Sequence, residues 1–207
     1  MDARVEESDD QDVYQRVYEA DRPELFFKAN AWRTVTDGQL AGIRTDSDSD
    51  VPEPELAIAL NQHGEIVGYL VCNDMTARAI ESQNPIYLPQ AKMYAGSCVL
   101  SAGIRPAWEV ESSALVIDMQ IARGDQHVFA GSTSTAQMHR RFDDLIRWLF
   151  AAEHFPYGVV LSTGTGIVPP LDFTLQEGDV ITIDIPGVGS LRNTVARGPA
   201  PFLARQR

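Results

Sequence analysis

Lysine is almost missing from this sequence. Of the 17 basic residues only Lys28 and Lys92 are lysines, while 29 acidic residues give a formal net charge of -12. Such a charge repels phosphate backbones, so a nucleic-acid partner is not expected. Acid excess with few lysines is typical of proteins from a salt-rich cytoplasm, although an acidic mesophile protein remains the alternative. Because lysine is so rare, each of the two needs a specific explanation.

Cysteine and long apolar runs are scarce as well. Cys72 and Cys98 lie in no CxxC pair and beside no histidine, which argues against a disulfide framework or a zinc site. Two small buried side chains are the simpler interpretation. No apolar run approaches membrane-spanning length, and the N-terminus is acidic rather than signal-like. We therefore expect a cytoplasmic protein without a membrane partner.

The domain organisation follows from length and pattern. A chain of 207 residues with 44% apolar content can bury one sizeable core. Residues 1–20 predict an acidic, flexible N-terminal tail with a short helix at Val13–Ala20, and residues 21–207 predict one catalytic domain. Most patterned segments favour strands, and strands do not alternate with crossover helices. The sequence therefore predicts a mixed α+β, β-rich fold with few helices.

Individual strands can be placed by alternation and turn residues. We expect strands at Glu24–Ala29 and on either side of a turn within Thr34–Ile43. Pro52–Leu60 and Glu65–Asn73 predict a hairpin around Asn61–Gly64.

One long helix is predicted at Ser134–Glu153. Its inward stripe consists of apolar residues at helical spacing: Met138, Phe142, Leu145, Ile146, Leu149 and Phe150. Arg140, Arg141, Asp143 and Asp144 are expected to form its solvated face.

Three carboxylates suggest a metal site. Glu53 and Glu55 are two apart in a predicted strand, so both point to one face, and the hairpin brings Asp74 back beside them. A hard divalent cation would relieve their repulsion, and Mg²⁺ accepts such a ligand set readily. The alternatives are a solvated E-x-E pair and an Asp74 that caps the following helix.

Two further segments could carry chemistry. Lys92 lies among small residues, and a nearby dication with burial would lower its pKa and suit it to proton transfer, unless it is a surface lysine. The run LSTGTGIVPP offers Ser162, Thr163 and Thr165 among glycines, a turn that can bind an anion. It lacks the GK[ST] ending of a nucleotide-binding loop.

The order of these motifs resembles the fumarylacetoacetate hydrolase-like superfamily. PEPELA is followed by GYLVCNDMTAR, KMYAG, TGT, EGDVI and GVGSLRNTV, from about Pro23 to Val195. RPELFFKAN, NPIYLPQAKMYAG and TGTGIVP resemble its 2-keto-3-deoxy-pentonate dehydratase branch more closely. The resemblance implies a β-roll fold, and a homodimer or a larger homo-oligomer.

The resemblance also implies roles for particular residues. Glu53, Glu55 and Asp74 would bind Mg²⁺, with Ca²⁺ or Mn²⁺ as alternatives. Lys92 and Glu24 would exchange protons with the substrate. Residues expected to contact substrate are Lys28, Thr163, Gly164 and Thr165.

The implied function is dehydration of 2-keto-3-deoxy-pentonate (arabinonate or xylonate) to 2,5-dioxopentanoate in pentose degradation. The first histidine, His63, lies well after the position where hydrolases of the superfamily carry a water-activating His. That departure argues against the alternative, a hydrolase or decarboxylase of acylpyruvate-type diketo acids. Close dehydratases carry a longer N-terminal segment, so a truncated, non-catalytic member is the third alternative.

Overall fold

The structure, a computed structural model, describes residues 18–203, and strands dominate them. The strands are β1 (Val35–Thr36), β2 (Leu40–Ile43), β3 (Pro54–Leu60), β4 (Ile66–Asp74), β5 (Cys98–Leu100), β6 (Arg105–Pro106), β7 (Val116–Arg123), β8 (Gln126–Ser134), β9 (Val159–Ser162), β10 (Val180–Ile185) and β11 (Gly189–Arg197). The α-helices that lie wholly within this range are α1 (Arg78–Glu81), α2 (Leu88–Lys92), α3 (Phe142–Leu149) and α4 (Ala200–Leu203). The prediction of a mixed, strand-rich fold with few helices is confirmed.

The strands form two sheets that enclose the main core. The first sheet has the order β1-β5-β4-β3-β9, with β6 paired to β4, and the second has the order β2-β11-β10-β7-β8. Apolar side chains from both sheets form one cluster, among them Leu56, Val71, Met119 and Ile183, all nearly inaccessible to water. Burial of these side chains supplies the main driving force for folding.

The β3–β4 hairpin carries the candidate site, and its prediction is confirmed. Pro54 begins β3, where the missing N–H of proline costs no ladder bond, and β4 ends at Asp74. Across the ladder Glu55 pairs with Cys72, which fixes the register near the site. The alternative role of Asp74 as a helix cap is wrong, because α1 has Ala77 at its N-cap.

Two predicted elements differ from the structure. Glu24–Ala29 is not a strand, since this segment joins neither sheet. The predicted helix Ser134–Glu153 is shortened to α3. At its start, β8 continues to Ser134, which pairs with Val116, Thr135 N donates to Leu115 O, and Thr135–Gln137 form a short 3-10 helix. Long-range ladder pairing therefore overrides the local helical pattern at its start.

Some predictions concern residues at the margin of the described range. The predicted flexibility of residues 1–17 lies outside the described residues. Of the predicted helix Val13–Ala20, Tyr18, Glu19 and Ala20 are described; Tyr18 and Glu19 are helical, whereas Ala20 lies in a bend. Cys72 and Cys98 are buried free thiols, as expected. Between residues 18 and 203, no helix has the length and hydrophobicity needed to cross a bilayer.

Asp50 is a buried carboxylate in the loop that leads into β3. Its backbone N–H donates to Thr174 Oγ1 at 3.0 Å, and Leu175 N donates to its carbonyl oxygen at 2.9 Å. Its side chain is inaccessible to water, and burial raises the pKa of Asp50 to about 6 despite the nearby Ser47 hydroxyl and Arg197. The folded state therefore holds this proton more tightly than the unfolded chain does.

We expect the free energy of unfolding to fall as pH rises from about 4 to above 6. In that window the unfolded chain has released the Asp50 proton while the folded chain still binds it. Asp50→Asn removes this term, so at pH 7.5 the variant should be more stable by about 1–2 kcal/mol, or a few degrees in Tm. Thermal melts of both chains from pH 4 to 8 test this, and parallel pH profiles would contradict it.

Candidate metal centre and active site

Glu53, Glu55 and Asp74 meet in one buried cluster, as predicted. Carboxylate oxygens of the three residues lie within 4.8 Å of one another. Asp74 N donates to Glu53 O at 2.9 Å, so the ladder itself holds the two segments together. The three residues are only 3%, 3% and 6% exposed. A solvated E-x-E pair, the alternative interpretation, is therefore wrong.

The charges within the cluster explain its protonation behaviour. Burial, and then the like charges of Asp74 and Glu53, raise the pKa of Glu55 to about 7. Burial alone would also raise the pKa of Asp74, but the charges of Lys28 and Lys92 outweigh it and lower that pKa. The lysines thus offset the negative charges of Glu53 and Asp74, and the repulsion among the carboxylates acts mainly on Glu55.

Lys92, at the end of α2, is completely buried against the acidic cluster. Its Nζ donates to Glu53 Oε2 at 2.7 Å, to Asp74 Oδ2 at 3.3 Å and to Thr76 Oγ1 at 2.6 Å. The alternative of a surface lysine is wrong. An ammonium held between two carboxylates is placed to exchange a proton with anything bound beside them.

The contacts of Lys28 account for the other lysine of this lysine-poor sequence. Its Nζ forms an ion pair with Asp74 and donates to Met75 O at 2.8 Å and to Lys92 O at 2.6 Å. These contacts attach the irregular segment that also carries Glu24 to the cluster. Glu24 is half-buried.

The predicted site residues share one open groove above the outer face of the first sheet. Its lining includes Glu24, Lys28, Glu53, Glu55, Asp74, Lys92, Thr163, Gly164 and Thr165. Sequence positions that lie up to 141 residues apart are thus brought together, from Glu24 to Thr165. Concave sites with a few convergent polar groups are where small ligands bind.

The turn Thr163–Thr165 follows β9 and is attached to the strand that carries the carboxylates. Thr163 Oγ1 donates to Leu56 O at 2.8 Å, and Thr165 Oγ1 donates to Pro54 O at 2.9 Å. The two hydroxyl hydrogens therefore hold the turn against β3. Contact of the turn with substrate stays a prediction. The Thr165 hydroxyl oxygen already accepts from Ile167 N at 3.2 Å, so the Thr163 hydroxyl oxygen is the better placed acceptor.

Supporting hydrogen bonds made by Ser162, Gly164 and Arg78 were not predicted from the sequence. Ser162 Oγ donates to Glu55 Oε2 at 2.5 Å, and Gly164 N donates to the same oxygen at 2.8 Å. Arg78, just after the cluster, donates to Pro169 O at 2.8 Å and Phe173 O at 2.7 Å. The sequence indicated Ser162 only as one hydroxyl of an anion-binding turn, because its partner lies 107 residues earlier.

We expect Ser162→Ala to weaken Mg²⁺ binding about 10-fold, as is usual when a partner that orients a metal ligand is removed. Thr163→Val is the matched control, since that hydroxyl binds a backbone carbonyl and not a carboxylate. Calorimetric Mg²⁺ titration of both variants measures the difference. Equal affinities for Ser162→Ala and the parent chain would show that the serine does not orient Glu55.

The residues present fit a hard divalent cation. The donor set consists of carboxylate oxygens only and is buried, and this burial, together with the like charges, raises the pKa of Glu55. Oxygen-only sites with carboxylates and room for water suit Mg²⁺, whereas zinc prefers nitrogen and sulfur ligands. The cluster formed by Glu53, Glu55 and Asp74 therefore has the chemistry of a magnesium site.

Comparison with known proteins shows the family to which the chain is similar. The family model described as fumarylacetoacetate (FAA) hydrolase C-terminal matches residues 4–196. The chain is 46% identical over 194 residues to the probable 2-keto-3-deoxyxylonate dehydratase of Haloferax volcanii, covering 93% of this chain and 67% of the relative. It is 40% identical over 186 residues to the 2-dehydro-3-deoxy-D-arabinonate dehydratase of Saccharolobus solfataricus, covering 89% and 62%.

A solved structure gives the same likeness in three dimensions. The 2-keto-3-deoxy-D-arabinonate dehydratase complexed with magnesium and 2,5-dioxopentanoate superposes with a TM-score of 0.87 at 40% identity, covering 89% of this chain and 66% of that one. The chain thus spans about two thirds of the length of these relatives. The β-roll fold expected from the sequence motifs is confirmed. By sequence and by fold, this chain belongs to the fumarylacetoacetate hydrolase C-terminal family.

Proposed function

We propose that this chain is a magnesium-dependent dehydratase that converts a 2-keto-3-deoxy-pentonate (arabinonate or xylonate) to 2,5-dioxopentanoate. The observation that carries the proposal is the buried contact of Lys92 Nζ with Glu53 and Asp74 at the centre of a carboxylate cluster. The similarity to two dehydratases over some nine tenths of the chain supports the same reaction. Pentose degradation would supply the sugar acid.

Glu53, Glu55 and Asp74 would hold the cation. Mg²⁺ at this position would supply positive charge to the ketone and carboxylate oxygens of a 2-keto acid, making the hydrogens beside the ketone more acidic. The Ser162 hydroxyl and the backbone N–H of Gly164 donate to the Glu55 carboxylate and so fix its orientation. The turn that contains Gly164 lines the same groove and would contact the substrate, as would Lys28.

Lys92 and Glu24 are the acid–base pair in this proposal. One removes a proton from C3, beside the ketone, and the other protonates the hydroxyl that leaves C4, so that water departs. A proton then moves from C5 to C3, which gives the C4–C5 enol, and the enol O–H proton moves to C4, which gives the aldehyde. The whole conversion is loss of one water without net oxidation. Each proton transfer contributes about 10²–10⁴-fold to the rate in enzymes that use such groups.

The cluster would also suit a hydrolase of acylpyruvate-type diketo acids, the alternative raised by the sequence. The two reactions are separated by the product. Purified chain with Mg²⁺ is given each substrate class in turn, and the products are identified by NMR. Accumulation of 2,5-dioxopentanoate, with no cleavage of the acylpyruvate, supports the dehydratase. Cleavage of the acylpyruvate with no formation of 2,5-dioxopentanoate would support the hydrolase instead.

We further propose that the protein works in the cytoplasm as a homodimer or larger homo-oligomer. The acid-rich, lysine-poor composition supports a salt-rich cytoplasm, and the family resemblance supports self-association. Light scattering on the purified chain in concentrated KCl measures the assembly size. A monomer under these conditions would contradict the oligomer.

A further inference from the structure

An irregular segment carries two of the predicted active-site residues. Residues 22–29 form no regular secondary structure, yet they include Glu24 and Lys28. One end of the segment is fixed where Lys28 binds Met75 O and Lys92 O. The apolar side chains between hold it less firmly, because Phe26 and Phe27 are 36% and 62% exposed.

The other end of the segment is fixed by the region around α3. Arg140 donates through its two terminal nitrogens to Ala20 O at 2.5 Å and to Asp21 O at 3.2 Å. These carbonyls follow the helical residues Tyr18 and Glu19, where a cation is well placed to satisfy them.

Two ring contacts accompany this hydrogen bonding. The rings of Tyr18 and His139 stack with centroids 4.3 Å apart, and the Arg22 guanidinium lies 4.1 Å from the centre of the Trp148 ring. Contacts of this kind contribute on the order of 1 kcal/mol each. The segment that carries Glu24 is thus held at both ends, by the carboxylate cluster and by the region around α3.

Arg140 differs sharply from its neighbour in the chain. The side chain of Arg140 is 18% exposed and also approaches Asp144 at 3.6 Å, whereas that of Arg141 is 85% exposed and pairs with Asp143. Both were expected on a solvated face. The partial burial of Arg140 and its two backbone acceptors set it apart from an ordinary surface charge.

We propose that Arg140 is a positioning residue that holds the segment 22–28 on the active site and so fixes Glu24 relative to Lys92. This inference rests on the proposed dehydratase function. In this role Arg140 acts through the carbonyls of Ala20 and Asp21 and not on the substrate itself. Because a shift of about 1 Å in a catalytic group can cost on the order of 100-fold in rate, losing this attachment lowers kcat far more than it lowers stability.

Arg140→Ala and its matched control Arg141→Ala test the proposal in the full chain. Arg140→Ala is expected to lower kcat about 10- to 100-fold, to leave the Mg²⁺ affinity unchanged, and to speed hydrogen exchange of residues 22–28. Arg141→Ala is expected to match the parent chain in all three. Arg140→Lys, which restores a donor for one carbonyl, is expected to recover part of kcat.

Two results would overturn the proposal. One is an Arg140→Ala chain with the kcat and exchange rates of the parent. The other is a loss of Mg²⁺ affinity and of thermal stability as large as the loss of kcat, which would indicate general damage. Hydrogen exchange also separates this idea from the proposed function. If the parent chain turns over no pentonate, the dehydratase proposal fails, while faster exchange in Arg140→Ala alone still supports the attachment.

Discussion

Replacing Lys92 with methionine is expected to lower kcat by about 10³–10⁴-fold while the chain still binds Mg²⁺. Lys92 Nζ is the buried cation that contacts both Glu53 and Asp74, so its loss removes a proton carrier from the centre of the site. The metal ligands themselves remain. Removing a positive charge beside them should not weaken the attraction of the cluster for a dication.

The same substitution has a cost in stability that must be measured separately. Breaking a buried ion pair destabilises the metal-free fold by about 3–5 kcal/mol, because Glu53 loses its contact with Lys92 and Asp74 is left with Lys28. Saturating Mg²⁺ should recover much of this. Lys92→Arg separates charge from proton transfer, since a guanidinium keeps the charge but does not release its proton near neutral pH. Folded, Mg²⁺-binding Lys92→Met with the kcat of the parent would refute the role.

Replacing Glu55 with glutamine is expected to abolish function and yet stabilise the metal-free chain. Mg²⁺ affinity should fall by more than about 100-fold, beyond what the loss of an orienting partner costs. Turnover should fall about 1,000-fold or more, because a metal ion contributes several kcal/mol to such reactions. The glutamine oxygen can still accept from Ser162 and Gly164, so the local structure is kept.

The stability effect follows from the pKa of Glu55, which is raised to about 7. A raised folded-state pKa means that the folded chain binds a proton that the unfolded chain releases near pH 4.5. Without metal, stability therefore falls as pH rises from about 4.5 to 7, and the full penalty is present above pH 7. Glu55→Gln removes the penalty, so we expect it to melt a few degrees higher at pH 8 in EDTA.

Glu65→Gln is the matched control for Glu55→Gln. Glu65 lies at the far end of the same hairpin, is exposed, and accepts a hydrogen bond from Asn61. It should change neither Mg²⁺ affinity nor the pH dependence of the melting temperature. If Glu55→Gln retains parental Mg²⁺ affinity, Glu55 is not a ligand and the assignment of the carboxylate cluster is wrong.

The carboxylate cluster could be predicted because short-range rules determine it. Residues two apart in a strand share a face, and the turn at Asn61–Gly64 returns the chain to the same place, so Glu53, Glu55 and Asp74 were expected to meet. They do so although Glu53 lies just before the first residue of β3. Contacts between distant segments are different. The bond from Lys92 to Glu53 spans 39 residues, and the sequence indicated only that Lys92 has a specific role, not which carboxylate it contacts.

The failures of prediction have the same physical origin. Ser134 was predicted to begin a helix but pairs with Val116 as a strand residue, and this long-range contact cannot be inferred from the helical spacing of apolar residues. Arg140 was assigned to solvent because its neighbours are charged, while its acceptors are backbone carbonyls about 120 residues earlier. The composition of Glu24–Ala29 is typical of a strand, yet this segment pairs with neither sheet.

The most direct measurement is to follow the purified chain with a 2-keto-3-deoxy-pentonate by NMR, in concentrated KCl, before and after adding Mg²⁺. We predict that 2,5-dioxopentanoate accumulates only with Mg²⁺, stops forming when EDTA is added and forms again when Mg²⁺ is restored. A folded chain that binds Mg²⁺ and leaves the pentonate unchanged would contradict the proposed dehydratase.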